Sequence, residues 1–291
     1  MTTPAQWFAG ARPRTLGAAV APVLVGTAAA YAEVDDVIWW RAFAALVVAL
    51  ALQVGVNYAN DYSDGVRGTD DVRAGPLRLT ASKVATPTAV RTAAVFAFGV
   101  AAVVGSLLAV AVDLRLLVVG AAAIAAGALY TGGPRPYGYS GFGELAVLVF
   151  FGLVATAGSA YVQIEHVPAA AWWGAIGVGL LACAILLANN IRDIDGDRAV
   201  GKRTLAVRLG PRPTRGLYGA CLAVAFGVVV VVAAVSTAWA LLALLALPLA
   251  MRPFWLVLTH DDPPSLVAAL VGTARLELVY AALLALGLAL S

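Results

Sequence analysis

Nine apolar stretches, each about long enough to cross a bilayer, constrain this chain more than any other feature. They run near 15–32, 42–60, 87–110, 114–131, 143–163, 171–190, 214–235, 237–257 and 272–290. A hydrocarbon core about 30 Å thick takes roughly 20 apolar residues of helix. Composition agrees: 62% of the 291 residues are hydrophobic and 12% are charged, against about 25% charged in ordinary soluble domains. The expected fold is therefore all-α. It is a polytopic membrane protein of one domain over 1–291, with nine transmembrane helices around a central cavity. The run of basic, apolar and small residues from Arg12 to Ala32 also has the outline of a signal peptide, but Pro22 and the many later spans favour an uncleaved first helix.

Orientation follows from the basic residues. With the N-terminus inside, 17 of the 19 lysines and arginines fall in cytoplasmic loops, leaving Arg41 and Arg115 outside. That is the asymmetry of the positive-inside rule. It places the C-terminus outside and Trp39-Trp40 and Trp172-Trp173 at the outer interface. Lys83 and Lys202 are the chain's two lysines, and with abundant Ala, Val and Gly this suggests a GC-rich bacterial genome and a bacterial cell membrane. Membrane lipid is the expected surrounding, and no nucleic-acid partner is expected. Cys183 and Cys221, isolated in apolar segments, read as packing residues. Ser236-Thr237 leaves room only for a tight hairpin between spans seven and eight. His166 and His260 fall in opposite loops and read as solvated. Glu277, costly inside a span, is expected to pair with Arg275 or to reach the inner surface.

Two acidic clusters stand at the cytoplasmic ends of spans two and six. The first is Asn57-Tyr58-Ala59-Asn60-Asp61-Tyr62-Ser63-Asp64, and the second runs from Asn189 through Asp193 to Asp197. Asp61 and Asp64 are spaced i,i+3, and Asp193 and Asp197 i,i+4, so each pair shares a helical face. Asn57 and Asn60 lie one turn earlier, as Asn189 does before Asp193. Carboxylates near a helix C-terminus oppose the macrodipole and repel each other, costs that a bound divalent cation removes. Magnesium takes oxygen ligands, using one or two carboxylates plus substrate phosphates. Arg78 and Lys83 follow the first cluster, and Lys202 and Arg203 the second. Acids for Mg2+ beside bases for phosphate oxygens describe a diphosphate site. Clusters four spans apart also suggest a duplicated helical unit, with halves near 10–135 and 140–291. A cation-coupled transporter is the rival reading, although such sites usually lie near the bilayer midplane.

Asn60-Asp61-Tyr62-Ser63-Asp64 and Asp193-Ile194-Asp195-Gly196-Asp197 resemble the paired motifs of the UbiA-type intramembrane prenyltransferases, Asn-Asp-x-x-Asp after helix two and Asp-x-x-x-Asp after helix six. One departure is Gly68, where many members carry a further aspartate; Asp70 and Asp71 are the alternatives. Within the family, the segments Arg12-Pro13-Arg14-Thr15, Gly75-Pro76-Leu77-Arg78-Leu79, Tyr130-Thr131-Gly132-Gly133-Pro134 running on to Gly143-Glu144, and Gly201 to Gly210 are similar to members that prenylate 1,4-dihydroxy-2-naphthoate. The resemblance implies a polyprenyl diphosphate donor and two Mg2+ held by Asp61, Asp64, Asp193 and Asp197. It further implies attack by the naphthoate ring with loss of CO2 and diphosphate, giving demethylmenaquinone. Another acceptor such as 4-hydroxybenzoate is the alternative within the family. Tyr130 belongs to the same segment. Tyr137 and Tyr139 are candidates to face the allylic cation or to act as interfacial anchors, and Arg135 is the candidate to hold the acceptor carboxylate.

Overall fold

Lipid offers no hydrogen bonds to a peptide group, so a chain this apolar must satisfy its backbone within helices. The structure, a computed structural model, describes residues 2–69 and 77–291; Asp70, Asp71, Arg73, Gly75 and Pro76 lie outside the described residues. Among the described residues nine helices form the bundle: α1 Gly17–Val34, α2 Trp39–Arg67, α3 Pro87–Ala111, α4 Leu116–Thr131, α5 Gly143–Ile164, α6 Ala169–Ala199, α7 Pro211–Val235, α8 Ala238–Thr259 and α9 Pro263–Ala289. Among the described residues eight have the length and hydropathy of membrane spans, and α4, with 16 residues, is the short one. Ser236 and Thr237 alone separate α7 from α8, as the sequence requires.

The helices that carry acids outrun their apolar stretches. The expected spans end at 60 and 190, but α2 continues to Arg67 and α6 to Ala199. Gly68, at φ 71°, ends α2 in the left-handed conformation that glycine adopts without strain. Both acidic clusters therefore sit inside closing helical turns. The other large difference is α9, which begins at Pro263 and not near 272. Asp262 caps it by accepting from the Ser265 amide at 2.9 Å, and two prolines occupy its first turn. Arg275 consequently lies on the helix and is exposed. Glu277 neither pairs with Arg275 nor reaches the surface. Two residues on along a helix, it faces away from Arg275 and is fully buried, with no hydrogen-bond partner for either carboxyl oxygen among the described residues.

Helices in lipid gain little from hydrophobic burial against each other, so close packing through small side chains must hold them. The central helix α6 packs against α1, α5, α7 and α9, and its buried face is rich in Ala and Gly. At Gly152 of α5 and Gly179 of α6 a Cβ on either residue would lie 2.8 Å from the other's Cα. The same stretch of α5, Leu148–Val154, is wound as a π-helix. Cys183 and Cys221 are buried free thiols.

The two ends of the bundle differ in charge as the sequence predicts. Arg41 donates to the Val162 carbonyl at 2.9 Å, and Arg115 pairs with Asp113 at 2.5 Å and donates to the Tyr161 hydroxyl at 3.0 Å. Both arginines thus meet at the C-terminal end of α5, with the exposed Trp39, Trp40, Trp172 and Trp173 on the flanking starts of α2 and α6. His166 lies there too, exposed, but it is paired with Glu33 at 2.7 Å, a contact that raises its pKa. The acidic clusters occupy the opposite end.

The α1–α5 crossing supplies a test of this packing. A Cβ on Gly26 would lie 2.2 Å from the Thr156 carbonyl oxygen and 2.8 Å from the Ser159 Cβ. Gly26→Ala must push α1 off α5, at about 1–3 kcal/mol. Thermal unfolding in detergent should show a lowered Tm for Gly26→Ala. Gly99→Ala, where a Cβ meets nothing within 4 Å, should match the unmodified protein.

Candidate active site

A cavity of about 760 Å3 runs along the bundle from the acidic end toward the opposite end. Asn57, Asn60, Asp64, Asp193, Asp197 and Lys202 line its polar mouth, while Leu108, Leu116, Val119 and Val162 line its far end. Apolar side chains such as Leu52, Val56, Phe150 and Val154 form the walls between. The shape suits a molecule with a charged head and a long hydrocarbon tail.

The two aspartates of the first cluster have different surroundings. Asp64 faces the cavity, accepts from the Tyr139 hydroxyl and lies 3.3 Å from the Lys202 ammonium. Asp61 does not line the cavity. Its carboxylate accepts the backbone amides of Leu79 at 2.7 Å and Thr80 at 2.9 Å, and it is buried. Asp61 thereby holds the segment that presents Arg78, which does line the cavity. Asn57 donates to the Ala11 carbonyl at 2.9 Å, and Asn60 accepts from the Thr131 hydroxyl at 2.8 Å. These bonds join α2 to the N-terminal segment and to α4.

In the second cluster Arg192 grips Asp193 with two hydrogen bonds, at 2.8 and 2.7 Å, and donates to the Asn189 carboxamide oxygen at 2.9 Å. The pair is almost wholly buried, and the two-pronged geometry fixes the carboxylate plane. Asp197 lies 3.9 Å from the Lys202 ammonium. One lysine therefore bridges the acidic ends of α2 and α6 and brings the two clusters together.

The loop after α4 closes the mouth. Arg67 donates to the Thr131 carbonyl and, at 2.6 Å, to the Gly133 carbonyl, neutralising the C-terminal end of α4. The Arg203 amide donates to the Tyr139 carbonyl at 2.8 Å, latching this loop to the one after α6. Arg67 and Lys202 both approach the Tyr139 ring, at 5.5 and 4.5 Å from its centroid. Burial, and then the Asp64 carboxylate, hold the Tyr139 pKa above the usual phenol range, so it remains a donor to Asp64. Burial pushes the Tyr137 hydroxyl up to about 12. Tyr130 meets Tyr137 edge to face at 5.5 Å, and all three rings line the cavity.

The donor set fits magnesium. Among the described residues no three His, Cys, Asp or Glu side chains converge on one metal position. Asp64 instead stands across Lys202 from Asp197, and Asn57 and Asn60 line the same cavity. An ion that uses one or two carboxylates and completes its shell with phosphate oxygens needs this arrangement rather than a closed protein cage.

Of the sequence candidates, the cavity thus gathers Asp64, Asp193, Asp197, Asn57, Asn60, Arg78, Lys202, Tyr130, Tyr137 and Tyr139. Lys83, Arg135 and Arg203 are exposed and do not line it. Arg192 is the main residue that sequence reasoning passed over, because among so many arginines in the loops at that end it reads as a topological charge. Its position directly before Asp193 was the available signal. Arg12 and Arg14 also line the cavity.

Comparison with known proteins agrees with this geometry. The chain is 50% identical over 281 residues to the 1,4-dihydroxy-2-naphthoate octaprenyltransferase of Mycobacterium tuberculosis (strain ATCC 25618 / H37Rv), covering 97% of this chain and 96% of that one. It is 38% identical to the enzyme of the same name from Escherichia coli (strain K12), over 98% and 95% of the two chains. Its fold is similar to that of a UbiA homolog from Archaeoglobus fulgidus bound to DMAPP and Mg2+, with a TM-score of 0.66 and 13% identity over 96% of this chain and 99% of that one. The model of the UbiA prenyltransferase family matches residues 19–279, and the chain belongs to that family.

Proposed function

We propose that this protein transfers a polyprenyl group from polyprenyl diphosphate to 1,4-dihydroxy-2-naphthoate in menaquinone biosynthesis, with Mg2+ at the cytoplasmic mouth of the cavity. The observation that carries this reading is the meeting of Asp64 and Asp197 on Lys202 where a long apolar cavity opens. A diphosphate head and an isoprenoid tail match those two environments. The acceptor is taken from the octaprenyltransferases to which the chain is similar over nearly its whole length.

Asp64, Asp193 and Asp197 would hold the magnesium, with Asn57 and Asn60 on the same wall. Bound there, Mg2+ supplies charge neutralisation that makes diphosphate a better leaving group. Lys202 and Arg78 donate to the phosphate oxygens. Arg192 keeps the Asp193 carboxylate in one orientation, and Asp61 keeps Arg78 in place through the Leu79 and Thr80 amides. As the allylic carbon–oxygen bond breaks, the rings of Tyr130, Tyr137 and Tyr139 are placed to face the positive charge. The apolar walls exclude water that would otherwise capture it. A ring carbon of the naphthoate then forms the new carbon–carbon bond. Departure of the carboxylate as CO2 returns the electron pair to the ring, leaving the prenylated naphthalene at the hydroquinone level.

One domain with two related halves, near 10–135 and 140–291, accounts for the paired clusters. In support, each acid-bearing helix packs extensively against its successor, α2 on α3 and α6 on α7.

Diphosphate release by the purified protein, given octaprenyl diphosphate and 1,4-dihydroxy-2-naphthoate, should require Mg2+ and stop with EDTA. Asp193→Ala should lower the rate by at least about 100-fold, the scale expected when a group stabilising developing charge is lost. Cation flux without diphosphate release would instead favour a transporter. Asp61 separates two roles. As an anchor for backbone amides, Asp61→Asn keeps one acceptor oxygen and should retain much more activity than Asp61→Ala. As a metal ligand, both variants should be equally inactive.

Orientation is tested in intact bacterial cells. Cys183 and Cys221 are buried, so an impermeant maleimide should report introduced thiols. Ser236→Cys should be labelled from outside, and Arg212→Cys only after the cells are permeabilised. The reverse pattern would invert the topology.

A further inference from the structure

Glu144, in the first turn of α5, is a buried carboxyl that the mechanism above does not use. It is 8% exposed. One of its oxygens, Oε1, accepts from the Asn190 carboxamide nitrogen at 2.9 Å, and the other, Oε2, is buried with no hydrogen-bond partner among the described residues. The Cys183 thiol donates to the Glu144 backbone carbonyl at 3.1 Å, which ties this turn of α5 to α6. Burying a carboxyl with a single neutral donor is costly. An apolar residue of similar size would pack there more stably, so packing does not explain its presence.

The consequence of this contact lies on Asn190. That residue lines the cavity, as Tyr130 does. A carboxamide has one acceptor oxygen and one donor nitrogen. The Asn190 nitrogen is committed to Glu144 Oε1, which turns the Asn190 oxygen the other way. That oxygen has no hydrogen-bond partner among the described residues and is not sealed from the cavity. Tyr130 completes the setting, since its hydroxyl lies 3.0 Å from where a Cβ on Gly143 would be. The wall where α6 meets the start of α5 thus presents one fixed hydrogen-bond acceptor, one helical turn from Asp193.

We propose that Asn190 accepts a hydrogen bond from a ring hydroxyl of the dihydroxynaphthoate acceptor, and that Glu144 is the positioning residue that orients Asn190 for it. This assignment rests on the reading of the chain as a prenyltransferase for that acceptor. A hydroxyl held by an acceptor releases electron density to the ring more readily, which assists attack on the allylic carbon. The proton stays on the hydroxyl throughout. The donor diphosphate, an acceptor of hydrogen bonds only, has no use for the Asn190 oxygen.

Steady-state kinetics of the purified full chain, with Mg2+, octaprenyl diphosphate and 1,4-dihydroxy-2-naphthoate, tests the assignment. Glu144→Ala and Asn190→Ala should each lower kcat/KM for the naphthoate by about tenfold or more, leaving KM for the diphosphate within about twofold. The double variant should be no worse than the weaker single one, because both remove the same contact. Glu144→Gln, whose carboxamide oxygen can accept the same bond, should restore most of the loss and guards against a variant that fails to fold. Equal losses toward both substrates, multiplying losses in the double variant, or a Gln variant as poor as Ala would overturn the assignment. Absence of turnover by the unmodified chain would overturn the reading of the reaction itself.

Discussion

The Lys202 ammonium stands 3.3 Å from Asp64 on α2 and 3.9 Å from Asp197 on α6, and the rest of the architecture brings those two helices to it. Each helix ends in acids that oppose its own dipole, so neither terminus is comfortable alone. Joined across one buried cation, with Arg192 on Asp193 and backbone amides on Asp61, the acids become tolerable in a low-dielectric setting. Removing one partner from such a buried pair typically costs about 3–5 kcal/mol. The loops carrying Tyr139 and Lys202 are therefore held by the same charges that make the site reactive.

Close helix packing sets where those charges stand. Glycine and alanine on α6 let α1, α5, α7 and α9 approach it, and the Gly152–Gly179 contact fixes α5 against it near the π-helical stretch. That stretch carries Phe150, Phe151 and Val154 into the cavity wall. π-Helical turns recur at functional sites because they redirect side chains that a regular helix would aim elsewhere. Here the redirected residues are apolar, and they line the middle of a cavity whose only strongly charged end is its mouth.

Much of this was legible in the sequence because two signals are periodic or additive. Apolar length identifies spans, and the sum of basic residues sorts the loops onto two ends, so all nine helices and the common end of the acidic clusters were readable. Side-chain partners were not. Asp61 and Asp64 share a helical face and look equivalent, yet one turns to backbone amides and the other to the cavity. Lys202 and Arg203 are neighbours in a loop, and only the first turns inward. Loop direction depends on tertiary latches such as the bond from the Arg203 amide to the Tyr139 carbonyl, which no local pattern encodes. Glu277 misled for the same reason. A charge in a span suggests a surface or a partner, whereas the face it occupies with Thr273 and Tyr280 is buried in the bundle.

The charge distribution along the cavity also explains why the chemistry belongs in a membrane. Diphosphate needs cations and water-accessible loops, while an allylic cation must not meet water. A soluble enzyme would have to wall off a long apolar tunnel from solvent with its own side chains. In a bilayer the surroundings are already dry, and the exposed apolar surfaces of α3 and α4 need no covering. The chain can then keep most of its basic residues at one end. Of the charged residues, several that reach the cavity are held by a hydrogen bond or ion pair from another element, as Asp61 holds the Arg78 segment and Tyr139 holds Asp64. Among the described residues Lys83 and Arg135 show no such tie, and both stand exposed. Position in the site therefore follows from who holds a side chain, not from how near its residue number lies to an aspartate.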